Sequence, residues 1–150
     1  MSEPPIAARQ HWMAVLARAS EAEMAALLAT CPALPPHIRL RGPESGLVML
    51  RGRAGGAGSQ FNLGEMSVTR CTVRNEAGFV GHAYIQGRAH GRATLAAAID
   101  AGLQDPARHA ALQDGVIMKL AEAQAEARDG QSRRAAATRV DFFTMATMRS

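Results

Sequence analysis

The sequence predicts an α+β domain, in which a central antiparallel β-sheet of about four strands carries N-terminal and C-terminal helices packed on it. Two observations lead to this prediction. Apolar residues recur at helical spacing near both ends of the chain, whereas residues 37–86 consist of short β-rich runs separated by glycines. Because the strands are grouped rather than alternated with helices, a parallel nucleotide-binding sheet is not expected. The length of 150 residues fits a single domain, residues 1–150.

The N-terminal part of the chain predicts two helices. From Ala7 to Ala19, apolar side chains including Trp12 recur on one side, as in an amphipathic helix. Ser20 and Glu23 then have the spacing of a capping box, in which each side chain accepts a hydrogen bond from the backbone N–H of the other residue. A second helix therefore begins after Ser20, and Pro32 ends it.

Residues 37–53 predict a first β-hairpin. Two β-rich runs, His37–Arg41 and Leu47–Arg53, are separated by the segment Gly42–Gly46, whose sequence is GPESG. Glycine, proline and serine in so short a segment are typical of a turn, so we expect the two runs to pair with each other.

Residues 65–86 predict a second hairpin, with the clearest β signal in the chain. The run Glu65–Arg74 divides into two alternating sets of side chains, as expected for the two faces of a strand. The turn residues Asn75–Gly78 then lead into a second strand, Phe79–Gln86.

The C-terminal part predicts further helices. After Gly87 the apolar residues return to helical spacing. Asp105 and Pro106 are suited to start another helical segment, because proline is well tolerated in a first turn. A long helix is expected from about Gly115 to Ala137, with Gly130 as a candidate break or kink.

The basic charge of the chain is compatible with several classes of partner and does not select one of them. The formal net charge is +4, the sequence pI is about 10.0, and Lys119 is the only lysine among 17 basic residues. Arginine pairs well with carboxylates and phosphates, so acidic proteins, nucleotides and nucleic acid are all compatible with this composition. No basic run exceeds Arg133–Arg134, so nucleic-acid binding is the least favoured of the three.

The sequence offers few groups for metal, disulfide or nucleophilic chemistry. Cys31 and Cys71 are too few for a disulfide framework and have no Cys-x-x-Cys or Cys/His ligand spacing, and the five histidines are not spaced as metal ligands. No motif places a nucleophile beside a base, so we expect no catalytic residues and no metal. Residues 1–8 do not resemble a secretory signal and no stretch is long enough to span a bilayer, so we expect a cytoplasmic chain without a membrane partner.

The glycine-rich segment Gly52–Ser59 is a candidate ligand-binding loop, because glycines let backbone N–H groups approach a phosphate. It matches no phosphate-binding motif, and a flexible loop between strands is the simpler interpretation. The candidate ligand-binding residues are Arg51, Arg53, Gly55, Gly56 and Gly58.

The histidines near the corner between the last strand and the following helix form a further candidate site. His82 and His90 flank this corner, where a base or ligand group would sit if the strand end opened into a cleft. Surface or core histidines are the more common outcome.

The C-terminal segment places adjacent aromatic residues close to the end of the chain. Successive side chains of an extended segment point to opposite sides, so Phe142 and Phe143 cannot both enter one flat core face. Either a partner chain covers the second ring or the segment docks on its own sheet. The candidate partner-interface residues are Arg139, Val140, Asp141, Phe142, Phe143 and Met145.

Four stretches of the chain form a distinctive series: Arg9–Ala17, the glycine loop followed by Phe61, the run Val80–Arg88 that ends in Ile85-Gln86-Gly87-Arg88, and Thr138–Met145. In their order and spacing they resemble the PhnG family, the small G subunit of the bacterial carbon–phosphorus lyase system for phosphonates. The resemblance covers about residues 7–147.

This resemblance implies a cytoplasmic core complex with H, I and J subunits, joined by ATP-binding-cassette-like K and L subunits. In the family's pathway, the I subunit together with G, H and L exchanges the adenine of ATP for a phosphonate, which gives a ribose 1-phosphonate 5-triphosphate. ATP is then a substrate of the complex, and this chain binds no cofactor alone. The iron–sulfur chemistry of the J subunit needs several thiolates, which two isolated cysteines do not supply. The resemblance carries over no catalytic residue.

Overall fold

The fold is built on an antiparallel sheet with helices before and after it in the chain. The computed structural model describes residues 4–53 and 58–138. The elements are α1 (Ile6–Arg18), α2 (Glu21–Leu28), β1 (His37–Arg53), β2 (Gln60–Asn75), β3 (Val80–Gln86), α3 (His90–Leu103), α4 (Pro106–Leu112), a π-helical turn (Gln113–Met118) and α5 (Lys119–Ala137). This arrangement confirms the predicted α+β class.

The described sheet has three strands in the order β1–β2–β3, not about four. The prediction of a hairpin with strands His37–Arg41 and Leu47–Arg53 is wrong, because both runs belong to β1. The segment Gly42–Gly46 continues the strand instead of turning it, and β1 pairs with the single strand β2 on both sides of this segment.

A bulge explains why the sequence GPESG does not turn the chain. The register between β1 and β2 shifts between Arg41 and Glu44, so β1 accommodates one extra residue there. Gly42 has a φ of 69°, a conformation that favours glycine. A Cβ at this position would also approach the carbonyl oxygen of Arg70 to 2.6 Å. The glycine therefore serves the bulge and not a hairpin turn.

The second predicted hairpin is confirmed as β2 and β3. Its turn lies at Asn75–Gly78, where the Gly78 N–H donates to the Asn75 carbonyl oxygen at 3.0 Å. The alternation expected along β2 is also present, because Thr69, Cys71 and Val73 are buried on one face. This face is the one that packs against the helices.

The helix α3 covers that face of the sheet at close range. A Cβ at Gly81 of β3 would overlap the carbonyl oxygen of Ala97 and the backbone nitrogen of Ala101. Helix and strand therefore touch through backbone atoms and small side chains. The alanines of α3 with at most 5% exposure are Ala93, Ala96, Ala97, Ala98 and Ala101.

The N-terminal helices begin close to where the sequence predicts, although α2 ends at Leu28, before Pro32. Trp12 and Leu16 of α1 are buried, and α2 begins at a complete capping box. In this box the Ser20 Oγ accepts from the Glu23 backbone N–H at 3.2 Å, and the Glu23 carboxylate accepts from the Ser20 backbone N–H at 2.7 Å. The Ser20 backbone N–H holds the pKa of Glu23 below its ordinary value, because it stabilises the ionised carboxylate.

The C-terminal helices differ from the prediction mainly in where they begin. Asp105 caps α4 by accepting from the Ala107 N–H at 3.0 Å, and Pro106 is the first helical residue as expected. The long helix expected from about Gly115 is α5, which starts at Lys119 because the π-helical turn precedes it. It continues through Gly130 without a break. Within the described ranges, none of these helices is long and apolar enough to cross a membrane.

A buried carboxylate joins α1, α3 and β3. Asp100 is 0% exposed, and its Oδ1 accepts from the Trp12 Nε1–H at 2.8 Å. Its Oδ2 accepts from an Arg9 terminal N–H and from the His82 backbone N–H, both at 2.8 Å. The same arginine also donates to the Val80 carbonyl oxygen at 3.1 Å. One side chain of α3 therefore fixes the positions of a helix and a strand.

We expect replacement of Asp100 by alanine to lower the free energy of unfolding by about 3–5 kcal/mol, because it leaves the Arg9 guanidinium partly buried without its carboxylate. Urea denaturation would measure this loss. The matched control is Asp129→Ala on the exposed side of α5, which we expect to change stability by no more than about 0.5 kcal/mol. Equal effects of the two substitutions would contradict a structural role for the buried carboxylate.

Candidate functional site

The strands β1 and β2 extend well beyond the rest of the sheet. The last pair between β2 and β3 joins Val68 to Gln86, whereas β1 and β2 remain paired as far as Arg53 and Gln60. Residues 47–53 and 60–67 therefore form a two-stranded projection, which we call the ribbon. At about 3.4 Å per residue, the ribbon extends about 24 Å past β3.

Several large apolar side chains of the ribbon are exposed. Large apolar side chains on an isolated pair of strands find little cover within the chain, since a two-stranded hairpin has no core of its own. The most exposed of them are Leu47 at 63%, Leu63 at 62%, Met49 at 53% and Phe61 at 46%.

Both faces of the ribbon carry exposed apolar side chains. Ser45 is opposite Thr69 on the face that packs against α3, so Leu47 and Met49 continue that face by alternation. Leu50 lies on the other face, opposite Gly64. Leu63 lies there as well, because a Cβ added at Gly52 would overlap its side chain. Leu63 thus occupies the space that a side chain at position 52 would need.

Three of the predicted ligand-binding residues, Arg51, Arg53 and Gly58, lie at or next to the far end of the ribbon. Arg51 and Arg53 are exposed and two residues apart on β1, so they share one face. Their cross-strand neighbours are the neutral residues Asn62 and Gln60. Neither arginine makes a salt bridge within the described part of the chain. Gly58 lies just before β2.

The other predicted site residues fall outside the described ranges, so their positions are not part of the structure. They are Gly55, Gly56, Arg139, Val140, Asp141, Phe142, Phe143 and Met145.

A series of hydrogen bonds through two hydroxyl groups connects the base of the ribbon to the start of α3. The Thr69 hydroxyl donates to the Gly87 carbonyl oxygen at 2.7 Å and accepts from the Ala89 N–H at 3.0 Å. Its single proton is therefore used, and the Ser45 hydroxyl, 3.2 Å away, must donate to it. The sequence alone does not indicate this series of hydrogen bonds, because Ser45, Thr69 and Gly87 are far apart in it.

The donor direction of these hydrogen bonds decides the role of His90. The His90 Nε2 lies 3.0 Å from the Ser45 Oγ. Because the Ser45 proton is directed to Thr69, His90 donates to Ser45 and does not act as its base. The arrangement is therefore a structural link and not a serine nucleophile with its activating histidine. A groove of about 640 Å³ borders it, lined by Ser45, Gly46, Leu47, Arg88 and His90.

The two histidines that flank the corner are not brought together. His82 lies on the exposed face of the sheet, where its Nδ1 is 3.1 Å from the Thr72 hydroxyl. Within the described residues, no group of three or more histidine, cysteine, aspartate or glutamate side chains is placed to hold a metal ion.

We expect Thr69→Val to lower the free energy of unfolding by about 1–3 kcal/mol, because it leaves the partly buried Gly87 carbonyl and Ala89 N–H without their hydroxyl partner. Chemical denaturation would measure the change. Thr72→Val on the opposite face of the same strand is the matched control, and a loss as large as that of Thr69→Val would contradict the special role of the buried hydroxyl.

Comparison with known proteins identifies the family. A family model described as "Phosphonate metabolism protein PhnG" matches residues 7–148. The "Alpha-D-ribose 1-methylphosphonate 5-triphosphate synthase subunit PhnG" of Rhizobium meliloti (strain 1021) is 44% identical over 144 residues, which cover 93% of this chain and 89% of that protein. The resemblance seen in the sequence is thereby confirmed, and two residues of its first stretch, Arg9 and Trp12, are the side chains that bind Asp100. The chain belongs to the PhnG family of phosphonate metabolism proteins.

Proposed function

We propose that this chain is a supporting subunit of a ribose 1-phosphonate 5-triphosphate synthase. The complex transfers a phosphonate, such as methylphosphonate, onto the ribose C1 of ATP and releases adenine. The name of the Rhizobium meliloti relative, at 44% identity, supports this assignment. The proposed partners are the H, I and J subunits of a cytoplasmic core complex, together with the K and L subunits.

The observation that carries the supporting role is the ribbon. Its apolar side chains are between 46% and 63% exposed at the four most exposed positions. A two-stranded projection is only marginally stable in water without cover. Exposed apolar surface of this kind marks a contact with another protein. The structure therefore fits a chain that works when bound to other subunits.

The C-terminal aromatic segment is the second proposed contact. Phe142 and Phe143 are adjacent in the sequence, and adjacent side chains of an extended segment point to opposite sides. One core face can therefore take only one of the two rings, and the other needs a second surface to cover it. This proposal rests on the sequence alone.

We expect a chain that ends at Ala137 to lose association with its partner subunits, because each buried phenylalanine contributes on the order of 2 kcal/mol to such a contact. Co-purification with co-expressed partners and growth on methylphosphonate as the phosphorus source would measure the loss. Glu126→Ala on the exposed side of α5 is the control that leaves both unchanged. If the shortened chain assembles and supports growth, the segment is not an interface.

A direct role in the active site is the alternative function. Arg51 and Arg53 lie on one face of β1 beside the glycine segment, and their cross-strand neighbours are neutral amides. In this alternative the two guanidinium groups, with Gly55, Gly56 and Gly58, bind the triphosphate of ATP.

The two functions predict different effects of Arg51→Gln and Arg53→Gln on the binding of ATP. A supporting role predicts that the assembled complex keeps its affinity for ATP. Direct contact predicts that each substitution weakens binding by about tenfold or more, because a charge-assisted hydrogen bond contributes about 1.5–3 kcal/mol. Calorimetric titration of the purified complexes with ATP would distinguish them. Arg128→Gln on α5 controls for the loss of one exposed charge.

A further inference from the structure

The ribbon differs from an ordinary amphipathic hairpin because neither face is polar throughout. Met49 lies on the face that continues towards α3, and Leu63 lies on the opposite face over Gly52. Both side chains are more than half exposed, at 53% and 62%. Covering only one face would leave the other in water.

This distribution constrains the shape of whatever binds the ribbon. A flat partner surface would cover one face of the two strands. A second copy of this chain, related by a two-fold axis, would also cover only one face of each ribbon, since its own ribbon is a flat pair of strands. A cleft covers both faces at once.

The charge at the far end of the ribbon indicates the chemistry of that cleft. Arg51 is paired with Asn62 and Arg53 with Gln60, whereas the carboxylate of the ribbon, Glu65, is paired with Met49. Within the described residues, the two arginines have no carboxylate partner. Bringing two guanidinium groups next to a protein surface is favourable when that surface supplies carboxylates, which pair with arginine through two parallel hydrogen bonds.

We propose that the ribbon inserts into a cleft of a partner subunit, with apolar walls against both of its faces and carboxylates opposite Arg51 and Arg53. This inference rests on the proposed function, because it takes the partner to be another subunit of the synthase. The ribbon becomes part of a shared core, as strands do in a permanent complex.

Chemical labelling of single cysteines would test the insertion. Met49→Cys and Leu63→Cys report on the two faces, in a chain that carries Cys31→Ser and keeps the buried Cys71. Glu76→Cys, in the exposed turn before β3, is the control. The rate of maleimide alkylation is measured for each chain alone and in the purified complex.

We expect both ribbon positions to react at least about tenfold more slowly in the complex, because a packed interface excludes water and reagent. The control position should react equally in both states. Protection of one ribbon position alone would indicate a flat surface and overturn the cleft. Unchanged labelling of both would overturn any contact through the ribbon.

A second measurement tests the charge of the cleft. The double substitution Arg51→Glu and Arg53→Glu should weaken assembly by at least about tenfold, since like charges then face each other. Arg128→Glu and Arg133→Glu together make the same change in net charge on exposed positions of α5 and should have a smaller effect. Equal effects would overturn the proposed carboxylates.

The proposed function fails by a different result. If the unmodified chain does not co-purify with the synthase subunits, or if its deletion leaves growth on methylphosphonate intact, the assignment to this complex is wrong. The labelling pattern concerns only how the chain is bound once the complex forms.

Discussion

The Asp100 carboxylate is the contact on which the arrangement of the described elements depends. It accepts hydrogen bonds from Arg9, Trp12 and the His82 backbone, so α1 and β3 are both tied to α3. A charge that is 0% exposed is tolerated because its oxygens are satisfied on both sides. Since β3 is fixed in this way, the end of the supported sheet is fixed too, and with it the point where the ribbon begins.

Local signals predicted those elements whose structure is decided by neighbouring residues. The capping box of Ser20 and Glu23 and the turn at Asn75–Gly78 are of this kind. The prediction of a turn at Gly42–Gly46 failed because these residues suit a turn and a bulge equally. The choice between them depends on pairing with β2, which lies later in the sequence. That pairing leaves no local trace in the sequence, so the strand count was too high.

The same reasoning applies to the site. The positions of Arg51 and Arg53 on a strand beside the glycine segment were predictable, because the β-rich run is local. The roles of Asp100 and Thr69 were not, since their partners are contributed by other elements. An acidic residue within the alanine-rich stripe of α3 was the available signal for Asp100, because an unpaired carboxylate would not be stable on that buried face.

The irregular edge of β1 has a consequence for the life of the chain before it meets any partner. A strand of 17 residues at the edge of a sheet offers free backbone groups to other chains and invites aggregation. Pro43 removes one N–H donor from this edge, and register shifts at Arg39/Arg41, Arg41/Glu44 and Leu50/Arg51 interrupt its regular spacing. These irregularities make β1 a poor template for pairing with another copy of the chain, and so they oppose edge-to-edge aggregation.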